Sequence, residues 1–176
     1  MDTTVNAIQD PRRSIMSKDP LFIALFAALS ILALTSLRKA EGSRLFPFGL
    51  VAGGAMYFVI GLIGIPLLNL WGFTPGGLKI LGIPVFLIAS AIPAAMLFGG
   101  IIERVRSPLG QVMVVGAFTL AITLFDVLGL SMGHLVYRRW SVLSTFGLSG
   151  LVLSALAFFL DNPNTVVMGE DEGETR

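Results

Sequence analysis

The sequence predicts an all-α fold: a polytopic transmembrane helix bundle, one domain with five transmembrane helices. Three observations predict it. Of the 176 residues, 55% are hydrophobic and only 13% charged, whereas a soluble domain carries roughly 25% charged residues. The apolar residues run unbroken over lengths that a soluble core does not need. Five of the runs reach the roughly 17–25 residues that take a helix across the hydrocarbon of a bilayer.

Each run has identifiable ends. The first, Pro20 to Leu37, opens on a proline at the first turn, where a missing N–H costs little, and is closed by Arg38 and Lys39. The second, from about Leu45 to Leu70, is long enough to tilt or to unwind at Gly64-Ile65-Pro66. The third, from about Ile80 to Ile102, holds Pro84 and Pro93; the fourth, from about Leu109 to Leu135, holds Asp126; the fifth runs from Trp140 to Leu160. The connections are short and charged, the longest turn signal being Thr74-Pro75-Gly76-Gly77 followed by Lys79. Residues 1–19 form a polar N-terminal segment containing Asp2, Asp10 and Asp19, unlike a cleaved secretory signal. Residues 161–176 form an acidic tail expected to be disordered. That leaves 20–160 as the transmembrane domain, integral to a membrane, expected to be the cytoplasmic (inner) membrane of a prokaryote.

Lys and Arg in short loops set orientation. With five spans, Arg12, Arg13, Lys18, Lys79, Arg138 and Arg139 face Arg38, Lys39, Arg44, Arg104, Arg106 and Arg176, six against six. The rule is balanced, and only the remoteness of Arg176 tilts it towards a cytoplasmic N-terminus. Pro84 and Pro93 have no counterpart in another segment, so an inverted-repeat transporter gains no support.

Several functions are excluded or disfavoured. A formal net charge of +1 without a basic, aromatic-interleaved stripe suggests no nucleic-acid partner. Cysteine is absent, which excludes disulfides, thiolate zinc sites, iron–sulfur clusters and a cysteine nucleophile. No HExxH, Walker loop, GxSxG or paired carboxylates occur. His134 is the single histidine, too little for a zinc site or a bis-histidine haem within one chain. The expectation is therefore no metal and no cofactor, and a non-enzyme rather than an enzyme.

Asp126 is the only carboxylate, lysine or arginine inside any of the five runs. Charge in hydrocarbon is costly and marks a functional site by default. It lies on a stripe with Gly116, Thr119 and Thr123 at i, i+3, i+7 and i+10, continued by Gly133. Small and hydroxyl residues on one face let helices approach and bond, so the stripe should face protein. His134, Tyr137, Arg138 and Arg139 lie on the same side of the bundle, and a cluster of Asp126 with them is allowed. His134 is two turns and about 80° round from Asp126 on a continuous helix, so their contact needs a water or a break near Gly129 or Gly133. The competing reading makes Asp126 a structural hydrogen-bond partner. His134, Tyr137 and Trp140 would then be interface aromatics, and Arg138 and Arg139 loop charges beside lipid headgroups.

Other small residues suggest close helix packing: Gly147, Gly150, Ser154 and Ala157 in the fifth run, Gly49 with Gly53 and Gly54 with Gly61 in the second. The partner could be a helix of this chain or of another subunit.

Asp126, Gly133, Val136, Tyr137, Trp140 and Ser141 together make the C-terminal third similar to an uncharacterised family of small multi-pass membrane proteins of spore-forming Firmicutes. The chain departs from that pattern in having Asp where the family favours Glu, and in lacking the Asn and second Trp that follow Trp140. The resemblance implies a similar helix layout and supplies no chemistry.

The leading expectation is a small integral membrane protein acting through helix packing, as an accessory or assembly subunit. Its partners would be the lipid bilayer and a membrane protein or further copies of itself. The alternative is a small carrier or channel with Asp126 as an intramembrane proton or cation site. A lipid-modifying enzyme, needing His134 or Tyr137 as a second group, ranks last.

Overall fold

The computed structural model describes residues 20–75 and 77–161. The polar head and the acidic tail beyond Asp161 lie outside the described residues. Five helices dominate: α1 (Pro20–Ser36), α2 (Lys39–Leu67), α3 (Val85–Arg104), α4 (Pro108–Ser131) and α5 (Val142–Asp161). Four of them, α2 to α5, are long and apolar enough to cross a membrane, while α1 is apolar and 17 residues long.

The helix ends differ from the sequence expectation where local chemistry overrides hydropathy. Helix α2 begins at Lys39 rather than near Leu45, because Glu41 Oε2 accepts the Arg38 N–H at 2.9 Å and caps the first turn. It stays continuous past Pro47 and Pro66, widening into π-helical turns at Gly49–Ala55 and Ile63–Leu67. A proline ring collides with the carbonyl four residues back, and a wider turn relieves that conflict. Helix α3 starts at Val85, five residues later than expected. Lys79–Ile80 and Ile83–Pro84 instead pair as strands β2 and β3. Their two-residue turn, Leu81 at φ 51° and Gly82 at φ 85°, has the positive angles of a type I′ hairpin. Helix α4 stops at Ser131, short of Leu135. Gly133 at φ 70° takes the left-handed position. Its N–H bonds the Leu130 carbonyl at 3.0 Å, and the His134 N–H bonds that of Gly129 at 2.9 Å. Those two bonds define a Schellman stop.

The released chain becomes strand β4 (Leu135–Tyr137). It pairs antiparallel with β1 (Trp71–Phe73), matching Trp71 to Tyr137 and Phe73 to Leu135. The all-α expectation is thus amended by two small two-stranded sheets. Both lie at the bundle end where α2 and α4 finish and α3 and α5 begin.

Helix α3 is the centre and touches all four other helices. Of its most apolar stretch 44% is buried, against 17% for α4 and for α5, which makes the α4–α5 hairpin peripheral. Phe98, Ile102, Leu153 and Ala157 form one core cluster, and Ala33, Leu37, Leu45 and Leu97 a second. Gly49 and Gly53 lie against α3: a Cβ on Gly53 would sit 2.2 Å from the Ala91 carbonyl oxygen. At the opposite end from the sheets, Arg104 pairs with Glu41 at 2.6 Å and donates to the Ser36 carbonyl at 3.1 Å, and Arg44 pairs with Glu103.

Candidate functional site

Asp126 sits five residues before the end of α4, on the face turned towards α5 and the returning strand. Reversal at Gly133 sends β4 back along the helix, and the period of a strand puts Leu135 and Tyr137 on its inner face with Val136 outside. Burial agrees: Leu135 is buried, Tyr137 half-buried and Val136 exposed. The Tyr137 hydroxyl donates to Asp126 Oδ2 at 2.7 Å.

The second partner comes from α5. Ser141 caps that helix, its Oγ accepting the Ser144 N–H at 3.1 Å, and this fixes the first turn. Thr145, buried within that turn, donates to the same Asp126 Oδ2 at 3.0 Å. The Tyr137 and Thr145 hydroxyls are themselves 2.8 Å apart, so three oxygens form a closed triangle. Thr145 Oγ1 also accepts Trp140 Nε1–H at 2.9 Å. The Trp140 ring leans on Trp71, centroids 5.1 Å apart. Trp71 in turn lies over Gly64 of α2, so close that a Cβ there would come within 2.1 Å of the ring. Asp126 is therefore the inner end of a contact chain that runs through α5 and β1 to α2. Burial raises the Tyr137 phenol above its ordinary pKa, and the hydrogen bond to Asp126 adds to the effect while that to Thr145 opposes it. Tyr137 thus remains a donor at neutral pH.

The other oxygen of the carboxylate is different. Asp126 Oδ1 has no hydrogen-bond partner among the described residues. The Tyr57 phenol of α2 lies within electrostatic range of Asp126 and Tyr137.

The structure places the remaining sequence-derived residues as follows. Thr123 is buried and donates to the Thr119 carbonyl at 2.8 Å. Thr119 is 2% exposed and faces Gly150, yet its hydroxyl is without a partner among the described residues. Gly116, the start of the expected stripe, is exposed with open space around it. His134 lies apart from Asp126: the Schellman turn carries it to Phe22, ring centroids 6.0 Å apart, while its carbonyl accepts the Thr74 hydroxyl at 3.1 Å. Arg138 donates to the Asn69 side chain, not to Asp126. In α5, Gly150 lies 3.7 Å from Thr119 by its absent Cβ, whereas Gly147 has open space and Ser154 is exposed.

Thr145 and Trp71 are the residues that sequence reasoning passed over. Thr145 stands among Ser141 and Ser144 and reads as cap chemistry. A Trp71–Trp140 pairing depends on strand register, which hydropathy does not report. Among the described residues no group of three His, Cys, Asp or Glu could hold a metal ion. The polar cluster can accept, hold or share a proton and can clamp three chain segments together. Comparison of the chain with protein-family models, with curated proteins and with solved structures returned no match.

Proposed function

We propose that the chain is an integral membrane protein, crossing the bilayer with all five helices and acting through helix packing as an accessory or assembly subunit of a membrane complex. Helix α1 counts as a span because 17 residues rise about 25 Å, inside the workable range. One observation carries the packing role. The peripheral α4–α5 hairpin exposes Gly116 and Gly147, with no atom within 4 Å of where either Cβ would be. Small residues on an open helix face permit another helix to approach closely. Other residues of the hairpin are engaged inside: Thr145 and Tyr137 bond Asp126, and Gly150 packs against Thr119.

Native mass spectrometry on tagged protein, extracted gently from its own membrane, tests this. A stoichiometric partner chain or second copy is expected, and Gly147→Leu should release it while Gly42→Ala, on a different helix, should not. A lone chain from the wild type removes the proposal.

A second reading is supported by the unpartnered Oδ1 and by proton arithmetic. Three mutually bonded oxygens need three hydrogens, and the Tyr137 and Thr145 hydroxyls supply two. A protonated Asp126 supplies the third, so the triangle can hold one exchangeable proton. In a small carrier or channel, that proton would move through Oδ1. Proteoliposome flux whose pH dependence survives Asp126→Asn would sink this second reading.

A further inference from the structure

The bundle end opposite the sheets has a groove that neither reading uses. It lies where α1 meets α2, encloses about 480 Å³, and is walled by Leu34, Leu37 and Phe46 with Met96 of α3 at its side. That volume falls within the range of small-molecule sites, roughly 300–1,000 Å³. Leu34 is 81% exposed and Phe46 52%, so the walls present apolar surface outward. Gly42 lines the groove, and nothing lies within 4 Å of the position of its absent Cβ.

The lip of the groove is cationic. Arg38 and Lys39 both line it, both are exposed, and neither makes an ion pair among the described residues. Among the described residues, the acids at this end are engaged elsewhere: Glu41 by Arg104 and by the Arg38 backbone, Glu103 by Arg44, Asp161 by Gln111. Two positive charges, that of Arg38 also felt by Glu41, therefore stand over an apolar slot, beside the exposed hydroxyl-bearing Ser43. With the helices in a bilayer, this end of α1 and α2 is at headgroup depth. Basic pockets between helices at that depth suit anionic headgroups.

We propose that the groove is a binding site for an anionic phospholipid. Its phosphate diester sits between Arg38 and Lys39, with Ser43 as a further donor, and one acyl chain lies along Leu34 and Phe46 towards Met96. A zwitterionic lipid fits less well because its own cation meets the same two charges. The site rests on the helices spanning a bilayer and is independent of whether a protein partner exists.

The test uses the full-length protein in vesicles containing phosphatidylglycerol and phosphatidylcholine with the same acyl chains, in equal amounts. Lipid retained on the protein after extraction is counted by native mass spectrometry. The wild type should retain phosphatidylglycerol in preference. Each basic residue near an anionic surface is worth about fivefold, so the double variant Arg38→Gln/Lys39→Gln should lower that preference about thirtyfold. Gly42→Leu leaves the charge intact and fills open space, and it should lower retention by obstruction. Arg106→Gln removes a charge from the same end outside the groove and should change the preference by less than about fivefold. Equal retention of both lipids by the wild type overturns the site. So does a loss in Arg106→Gln as large as in the double variant, or unchanged retention in Gly42→Leu. Flotation with vesicles after an alkaline wash is scored on every sample. Protein that floats without lipid selectivity refutes the groove alone, whereas protein that fails to float refutes the membrane-spanning reading.

Discussion

The Tyr137 hydroxyl donates to Asp126 Oδ2 at 2.7 Å across a complete reversal of the chain. The two residues are 11 apart in sequence, and their meeting requires α4 to stop at Gly133 and β4 to run back beside it. This bond therefore reports on the junction of α4, β4 and α5 rather than on either residue alone. Tyr137→Phe should cost about 0.6 kcal/mol and at most about 1.7, the average and the maximum found for side-chain hydrogen bonds within membranes. Tyr137 and Thr145 share one acceptor, so a double-mutant cycle with Thr145→Val should show coupling of at least about 0.5 kcal/mol. Reversible unfolding in mixed micelles measures both quantities, and strict additivity would contradict the triangle.

A raised phenol pKa also fixes the sign of an alkaline effect. Burial holds the Tyr137 proton more tightly in the folded chain than in the unfolded one. The folded state then binds more protons between the unfolded and folded pKa values, so stability falls as pH rises through that interval. Below the ordinary tyrosine value, about 10, Tyr137 contributes its full share and stability is flat in this respect. In Tyr137→Phe the alkaline decline should be shallower, as read from unfolding midpoints at rising pH.

Gly64 and Trp71 make a sharper steric prediction. An added Cβ at Gly64 would lie 2.1 Å from the Trp71 ring, and the ring is held by β1 pairing and by Trp140. Gly64→Ala should destabilise by about 1–3 kcal/mol, as over-packing does, and should shift tryptophan fluorescence. Gly116→Ala is the control. It adds a Cβ into open space within a helix where Ala is favoured over Gly by up to about 1 kcal/mol, so it should be neutral or stabilising within the chain.

Gly133 is needed for its backbone angle rather than its size. No atom lies within 4 Å of its absent Cβ, but φ is 70°. Gly133→Ala should cost about 1–2 kcal/mol, and Gly133→Asn less, since Asn tolerates the left-handed region. A cost larger for Asn than for Ala in thermal unfolding would show that the Schellman stop is not what the glycine serves.

Hydropathy made the helices legible because a long apolar run in a chain this poor in charge leaves few other folds. It could not place the sheets. The run from Ile80 to Pro84 is apolar as a strand or as a helix, and period alone does not separate the two at that length. Register between Trp71 and Tyr137 is set by tertiary pairing across more than 60 residues. The candidate site was legible in part for the same reason. Asp126 stands out as a lone charge, and Tyr137 falls on its side of the bundle. His134 was a possible neighbour only through a water or a break near Gly129 or Gly133, and the helix does break at Gly133 without bringing His134 to Asp126. Once the helix ends at Ser131, the turn rotates His134 to Phe22 and Thr145 becomes the second partner.

Asp126 itself separates structural from chemical demand. Asn retains one side-chain carbonyl oxygen, which can accept from both Tyr137 and Thr145, and it removes the cost of a charge away from water. Asp126→Asn should therefore stay within about 1 kcal/mol of the wild type, whereas Asp126→Leu leaves the Thr145 hydrogen without its acceptor and should cost about 1–3 kcal/mol. The two hydroxyls remain 2.8 Å apart in either case, which limits the damage from Leu because Tyr137 can still donate to Thr145. If the carboxylate only clamps α4 to β4 and α5, activity or complex formation in cells should follow stability, with Asn retained and Leu impaired. A variant Asn protein that is as stable as the wild type, assembles normally and yet loses function would mean that the exchangeable proton matters. Measuring unfolding and complementation on the same two variants decides between the packing subunit and the proton site.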